Sequence, residues 1–299
     1  MPLSQPKACR KYVDLINEIS GKWVNWNPLN LIEVGDFGQI NEETGQFVRE
    51  GNIYRDEPLA SIAKDYPPVV YDPIPEFRID SGFAPRVHTP PDFGNLSDIV
   101  YKCQWQFKNE RAAFIVLHRA RKISIPNTFL EVTLKNESIR EIREKNVVTN
   151  VWSSPAFAMY LSNKSGEHVK IALRTTNAGS KETGWYAEGN VGVYQFGSLP
   201  NEGYQPLYQL QRIQLRNKQP RRDGRPPGEM FWGVPESPWK GLDDDGEEIP
   251  SDHEQWDDGL MTMTTMTTTQ TTISHSFPQP PSPSTAQLQR SSPVPSSLS

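Results

Sequence analysis

The sequence has little cysteine, no long apolar run and no spacing typical of metal ligands. Its 299 residues include two cysteines, Cys9 and Cys103, which lie far apart and outside any C-x-x-C motif. Neither a disulfide framework nor a zinc site is therefore expected. No stretch of about 18 apolar residues occurs, and the N-terminus lacks the uninterrupted apolar segment of a secretion signal. We expect a protein that is soluble and cytoplasmic in its resting state.

The residues that catalysis requires form no familiar arrangement. Gly35-Asp36-Phe37-Gly38 contains the D-F-G triplet of protein kinases, but no Gly-rich phosphate loop, V-A-I-K lysine or H-R-D loop accompanies it. No G-x-S-x-G segment is present. The acidic pair Asp244 and Asp245 lies in a low-complexity tail, where solvated charges are expected. We predict neither an enzyme nor a cofactor, and an active site assembled only in three dimensions stays open as an alternative.

Charge is distributed unevenly along the chain, whose net charge is −5. From Glu236 onward, ten acidic residues face only Lys240 and Arg290, which gives this part −8 and leaves +3 for residues 1–235. An acidic appendix of this kind can mask a basic surface or repel acidic partners. The basic run 212–225 is too short, in an acidic chain, to predict nucleic-acid binding.

An amphipathic helix is predicted near the N-terminus. Its apolar residues recur at helical spacing, and Gly21 follows where a helix would stop. These apolar residues are Ala8, Tyr12, Leu15, Ile16 and Ile19. Lys7, Arg10 and Lys11 fall away from the apolar stripe, and we expect them to form a solvated basic end. Residues 58–91 then contain eight prolines, which predicts an irregular extended connection.

Strand-like alternation begins at Ile99. Residues 99–107, IVYKCQWQF, place apolar side chains on one face and basic or amide side chains on the other. A second apolar run, residues 112–117, follows at a distance suited to a hairpin. Alternation of this kind is typical of a half-buried sheet, but also of a membrane hairpin, because about nine tilted residues cross a bilayer. The alternation leaves both interpretations open.

The rest of the chain adds a helix, further strands and a polar tail. A helix is predicted within residues 129–144, and strands are predicted at 146–152, 156–161, 168–174 and 207–216. The fold class is α+β, a twisted and mostly antiparallel sheet with flanking helices. A short irregular C-terminal segment follows: a flexible basic linker at 217–235, an acidic segment at 236–260 and a disordered Thr/Ser/Pro-rich tail at 261–299.

Two features give the chain a resemblance to the gasdermin family, and most closely to its short fungal members. The segments WVNWNP, IEVGDFG and GQFVREGNIY, within residues 23–54, resemble the opening of fungal regulator-of-cell-death proteins. KNVVTNVW at 145–152 and PLYQLQRIQLR at 206–216 are similar to the second hairpin unit of the gasdermin pore-forming domain. The resemblance implies such a domain over residues 1–216. Since the large helical inhibitory domain of animal gasdermins has no counterpart, inhibition would have to come from residues 236–260.

The resemblance also implies a mechanism. The protein would bind anionic membrane phospholipids, form a large homo-oligomer and insert β-hairpins through the plasma membrane, which causes regulated cell death. The lipid-binding candidates are Lys7, Arg10, Lys11, Arg140, Arg143 and Lys145. The membrane-hairpin candidates are Ile99, Tyr101, Trp105, Phe107, Val169, Ile171 and Leu173.

Activation would come from a subtilisin-like protease or from a variant of the same family. The candidate cleavage positions are Arg222, Phe231 and Trp232. A different class of protein stays open beside this hypothesis: a non-lytic, β-rich interaction or signalling module with a disordered regulatory tail.

Overall fold

A sheet of eleven strands, a second sheet of three strands and three helices make up the described part of the chain. The computed structural model describes residues 4–81, 92–94, 98–108, 110–135, 142–163, 166–175, 183–189, 192–199, 203–215 and 230–249. All of these belong to one compact unit, Met1–Ser251. The predicted α+β class with a mostly antiparallel sheet is confirmed.

The elements follow one another along the chain as helices α1 to α3 and strands β1 to β14. The helices are α1 (Gln5–Ser20), α2 (Leu59–Ala63) and α3 (Asn127–Lys135). The first seven strands are β1 (Trp23–Val24), β2 (Asp36–Ile40), β3 (Phe47–Asn52), β4 (Val69–Val70), β5 (Ile74–Asp80), β6 (Ile99–Gln106) and β7 (Ala113–Ser124). The others are β8 (Asn146–Ser154), β9 (Ala156–Leu161), β10 (His168–Thr175), β11 (Thr183–Glu188), β12 (Val193–Ser198), β13 (Tyr204–Leu215) and β14 (Met230–Gly233).

The N-terminal helix α1 is the one that the apolar spacing predicts. Gly21 ends it in the left-handed conformation, with φ 61°, and donates its N–H to the Asn17 carbonyl at 2.7 Å. Glycine adopts this conformation without the penalty that a Cβ brings. The apolar face of α1 is buried against the large sheet, and the Tyr12 hydroxyl donates to the Phe114 carbonyl of β7 at 2.7 Å. The helix therefore lies against one face of β7.

The long strand β7 organises the large sheet because it changes partners along its length. Residues 113–118 pair with β9, and residues 121–124 pair with β8. Pro155, which has no N–H to donate, separates these two partner strands. On its other edge β7 pairs with β4 and β5. The resulting order is β1-β13-β8-β7-β9-β12, and β2, β3, β4, β5 and β14 are attached to its members.

The three-stranded sheet, in the order β11-β10-β6, covers the other face of β7. Trp105 of β6 stacks on Phe114 of β7, with ring centroids 3.7 Å apart and 7° between the ring planes. Successive residues of β7 and β9 face opposite sides, so the protein has two apolar cores. The first core lies between α1 and the large sheet, and the second lies between the two sheets.

The predicted hairpin between residues 99–107 and 112–117 is wrong. β6 pairs with β10, with Trp105 opposite Val169, whereas β7 belongs to the other sheet. Alternation identifies each strand correctly but does not specify its partner. β6 and β7 face each other across the second core and contact through side chains, because β6 buries its apolar face against one of the two buried faces of β7.

The proline-rich segment is more ordered than its composition predicts. Residues 74–80 form β5, which pairs along the edge of β7. Pro75 is tolerated there because β7 is the only hydrogen-bonded partner of β5 among the described residues, and a proline fits an edge strand. The connection is therefore irregular only in part.

The helix predicted within residues 129–144 is present as α3, which begins two residues earlier than the predicted range. The structure gives α3 as Asn127–Lys135, and Lys145 donates its N–H to the Ile142 carbonyl at 3.1 Å in a turn. This turn leads directly into β8. Ile142, near the end of the predicted range, therefore lies in the turn before the strand and not in α3.

The C-terminal part of the described chain returns to the body. β14 pairs with the end of β13, with Phe231 opposite Gln214. The prediction of a flexible linker as far as residue 235 is therefore wrong for 230–233, because β13 extends past β8 and offers an unpaired edge. Residues 234–249, which we call the strap, follow β14 and contact α1.

Candidate functional site

The strap covers three cations near the start of α1, and we call Lys7, Arg10 and Lys11 the basic face. Lys7 forms an ion pair with Glu247. Arg10 forms a second one with Glu248, with 2.9 Å between Nη2 and Oε1. Two carboxylates of the acidic segment thus neutralise two of the cations that sequence analysis proposes for lipid binding.

Lys11, the third member of the basic face, is not solvated as predicted. Its side chain is buried, with 6% exposure for the residue, and its Nζ donates to the Leu242 carbonyl at 2.6 Å. A buried ammonium group needs such an acceptor, because losing water without a replacement is costly. The spacing of apolar residues in α1 misassigns Lys11 because it contains no information about the strap.

Trp239 anchors the strap between α1 and the turn before β3. The residue is 6% exposed, and its indole N–H donates to Asp14 Oδ1 at 2.9 Å. Its ring packs edge-on against Trp23, with centroids 5.9 Å apart, while the Arg10 guanidinium lies 5.6 Å from its ring centroid. A Cβ on Gly45 would lie 3.2 Å from the Trp239 ring, so the absence of a side chain there gives the indole its space.

A tight loop in the strap holds the two glutamates against the helix. Asp243 Oδ1 accepts the N–H groups of Asp245 at 2.8 Å and of Glu247 at 3.0 Å. Leu242 and Glu248 form an antiparallel β-bridge across the same loop. The acidic residues of the strap therefore have two roles. Asp243 shapes the loop through hydrogen bonds to backbone N–H groups, whereas Glu247 and Glu248 form ion pairs with the basic face.

A fourth cation, Arg111, joins the strap to the second core. Its Nε donates to the Asp244 carbonyl at 2.5 Å, and its Nη1 donates to the Ser162 carbonyl at 3.1 Å. Arg111 is buried and lies just before β7. Arg111 is not predictable from the sequence, because a single arginine among Asn109, Glu110 and Ala112 belongs to no pattern. Trp239 likewise belongs to no repeating pattern in the sequence.

The buried face of α1, which includes Cys9, packs into the first core. Cys9 is buried, and burial raises the pKa of its thiol to about 12, although a hydrogen bond from Gln46 partly opposes this shift. Because the thiolate is the reactive form, Cys9 stays protonated and unreactive near neutral pH. It serves as a packing residue in the structure.

Two of the other lipid-binding candidates lie just before β8. Arg140 is outside the described residues. Arg143 is half-buried in the turn before β8. Lys145 forms an ion pair with Glu50 of β3, with 2.7 Å between Nζ and Oε2. Lys145 is thus paired with a carboxylate of β3 and not with one of the strap.

The membrane-hairpin candidates are brought together by the pairing of β6 with β10. Trp105 lies opposite Val169, and Tyr101 lies opposite Leu173. All of the candidates except the half-buried Ile99 are buried, and they contribute to the second core. In this conformation, β7 and β9 cover the apolar faces that the pore hypothesis assigns to lipid.

The aromatic cleavage candidates lie in a paired strand. Phe231 and Trp232 belong to β14, and the Trp232 indole donates to the Leu130 carbonyl at 2.9 Å and to Thr133 Oγ1 at 3.2 Å. The expectation of an exposed, flexible segment is therefore wrong at these two positions. Arg222 is outside the described residues.

Within the described ranges, no group of three or more His, Cys, Asp or Glu residues is arranged to hold a metal ion. None of the helices α1 to α3 has both the length and the apolar character to cross a bilayer. No protein-family model matches the chain, and no curated protein matches it significantly. Function must therefore be inferred from the contacts that the chain makes with itself.

Proposed function

We propose that the chain is a gasdermin-like pore-forming protein that the strap holds inactive. The resting protein is cytoplasmic, and proteolytic removal of the C-terminal segment uncovers the basic face. The basic face then binds anionic phospholipids of the plasma membrane. Copies of the chain assemble into a large homo-oligomer and insert β-hairpins, which permeabilises the membrane and causes regulated cell death of the allorecognition type. An encounter with a variant of the same family is a second route to the same release.

The contact between the strap and the basic face is the observation that supports this proposal most. Each Lys or Arg near an anionic membrane contributes about 1 kcal/mol of attraction. The three cations of the basic face are therefore worth about 3 kcal/mol when they are free. With Glu247 and Glu248 beside Lys7 and Arg10, that attraction is cancelled and carboxylates would meet the anionic lipid instead.

The strap is held mainly by apolar contacts. The side chains of Lys7 and Glu247 are 46% and 61% exposed, and exposed ion pairs contribute about 1 kcal/mol or less. Trp239 and Leu242, by contrast, are buried in the first core. Burial of these two side chains supplies affinity for the body, while the glutamates determine the charge of the covered surface.

Insertion requires the second core to open. β6 and β10 would have to leave β7 and β9 before their apolar faces could contact lipid. An inserted strand also needs hydrogen-bonded partners on both edges, because hydrocarbon offers none. Many copies must therefore close a ring, which makes assembly part of the mechanism.

The test is dye release from liposomes with and without anionic phospholipid. Full-length protein is compared with a chain ending at Gly228 and with the full-length variant E247Q/E248Q. The proposal expects release from anionic liposomes by the shortened chain and, more weakly, by E247Q/E248Q. E42Q/E43Q is the matched control, because it changes the same charge at an exposed acidic pair outside the strap.

The outcomes separate the steps of the proposal. If E42Q/E43Q releases dye as well as E247Q/E248Q does, general charge rather than the strap controls activity. If full-length protein releases dye as fast as the shortened chain, the protein forms pores but the strap does not inhibit them. Silence from every form on anionic liposomes would contradict pore formation.

The interaction-module alternative has its own supporting observation. The apolar faces of β6 and β10 already have a packed partner within the same chain, as expected for a soluble β-rich domain. A module of this kind stays monomeric on anionic liposomes and releases no dye in any form. Sedimentation with liposomes, run beside the dye assay, distinguishes the two.

A further inference from the structure

A polar groove lies where the start of α3 meets the end of β7 and the neighbouring part of β8. It has a volume of about 400 Å³ and takes its walls from the region of β4, from β7, β8 and β13, and from the first turn of α3. None of its twelve lining residues is acidic, and Lys122 is the charged one. A groove with this lining favours an anion, and it shares no residue with the basic face.

Two buried polar atoms of this groove's lining residues have no hydrogen-bond partner among the described residues. Ser124 is 5% exposed and its Oγ is unpartnered. Gln211 also lines the groove, and its buried Oε1 is unpartnered. Buried polar groups are nearly always hydrogen-bonded, because an unpaired one is costly. A bound anion would give the Ser124 hydroxyl an acceptor, whereas the Gln211 oxygen, itself an acceptor, would pair only with a protonated oxygen of the ligand.

The first turn of α3 offers backbone donors to the same groove. Phe129 and Leu130 both donate to the Pro126 carbonyl, at 3.0 and 3.3 Å. The N–H groups of Asn127 and Thr128 precede these bonds and have no acceptor among the described residues. Free N–H groups and the helix dipole make such a terminus attractive to anions.

Lys122 brings positive charge to the groove and forms no ion pair with any residue in the described ranges. Its Nζ lies 5.2 Å from the Tyr71 ring centroid and 5.8 Å from that of Trp152. Lys22 approaches the other aromatic partner, at 5.5 Å from the Trp152 centroid. Within the described residues neither lysine has a carboxylate partner, and burial together with the Lys122 charge lowers the pKa of Lys22. Lys22 does not line the groove, but it adds positive charge beside Lys122, and both charges favour the approach of an anion.

We propose that this groove binds a phosphate group, with its oxygens on Lys122 Nζ, on the Ser124 hydroxyl and on the first N–H groups of α3. The ligand class is inorganic phosphate or a phosphate monoester. A soluble phosphate and the phosphate of an anionic lipid headgroup share this chemistry. The inference does not depend on pore formation, because the groove and the basic face have no residue in common.

The test measures binding to the full-length protein in two arms. Inorganic phosphate is titrated calorimetrically at low ionic strength, and vesicles of phosphatidylcholine with or without phosphatidic acid are sedimented with the protein. K122Q should weaken binding by about tenfold or more, since a hydrogen bond to a charged group is lost. S124A should weaken it by about threefold without changing the net charge.

The matched control is R121Q, which removes the same charge from the neighbouring residue. Arg121 is exposed, and adjacent strand residues face opposite sides of a sheet. R121Q should therefore leave binding within about twofold of the original chain. Loss in K122Q but not in R121Q supports the proposal, with inorganic phosphate indicating a soluble ligand and phosphatidic acid alone indicating a headgroup. Equal losses in both variants, or no binding in either arm, would overturn it.

Discussion

Trp239 is the side chain on which the attachment of the strap most depends. It is buried, packs against Trp23 and donates to Asp14, whereas the charged contacts nearby lie partly in solvent. Removing a buried indole destabilises a site by about 3–5 kcal/mol, because both the apolar transfer energy and the packing are lost. A single residue therefore controls whether the basic face stays covered.

W239A should free the strap while leaving the body folded. Amide hydrogens of residues 241–249 should exchange with deuterium at least about a hundredfold faster, which corresponds to roughly 3 kcal/mol. The measurement is hydrogen–deuterium exchange by mass spectrometry, with D14N as the control. D14N keeps the indole and alters only its acceptor, so its effect should be smaller. Unchanged exchange in W239A would place the anchor elsewhere.

Local sequence predicts some of the site residues and misses their partners. Lys7 and Arg10 are predictable because they lie off the apolar stripe of α1. Trp239 hydrogen-bonds to a residue 225 positions earlier, and no periodic pattern spans that distance. Lys11 is mispredicted for the same reason, since only the folded strap decides that it is buried.

At the scale of elements, local signals identify helices and strands but not their neighbours. α1 is predictable from a 3.6-residue period and a terminal glycine, and β10 from its strict alternation. Besides β11, β10 pairs with β6, which lies more than 60 residues earlier, although β7 follows β6 directly along the chain. β5 is missed because Pro73 and Pro75 resemble breaks, whereas the strand begins after Pro73 and, as an edge strand, accommodates Pro75.

The pairing of β14 with β13 should protect the aromatic cleavage candidates. Proteases need an extended, unpaired segment, and Phe231 and Trp232 are held opposite Gln214 and Ile213. L215P should accelerate chymotryptic cutting at Phe231 by about tenfold, because proline at the end of β13 disfavours strand pairing. Intact-mass analysis of limited digests measures this rate.

L215T is the control for the β14 prediction. Leu215 is exposed, and threonine keeps the strand preference while removing the apolar side chain. Cutting of L215T should resemble that of the original chain. Equal rates in L215P and L215T would mean that pairing with β13 does not limit access to β14.

At the scale of the whole molecule, hydrogen-bonded pairing joins the strands within each sheet, whereas side-chain packing joins the small sheet to the large one. In the part of the chain that the structure describes, the small sheet shares no backbone pairing with the large sheet. Side chains such as Trp105 and Phe114 hold the two sheets together. The small sheet can therefore separate without breaking any strand ladder of the large one, as the proposed insertion requires.

W105A should loosen the small sheet selectively. Loss of the indole from the second core should lower the free energy of opening of β6, β10 and β11 by about 3 kcal/mol or more, which speeds their hydrogen exchange. The exchange of α1 should stay nearly unchanged. I16A, which truncates a fully buried residue of the first core, is the control and should have the opposite pattern. Equal increases in both regions for both variants would show that the two cores open as one unit.

The pairing of β14 with β13 also determines what a cut within residues 217–229 does in the proposed mechanism. The fragment from residue 230 onward keeps β14, Trp239 and the two glutamates, so it stays bound after the peptide bond is broken. Before the cut, the chain holds it at an effective concentration of order millimolar; afterwards only its own concentration opposes dissociation. Activation would therefore follow the residence time of a bound peptide, and excess free fragment would delay it.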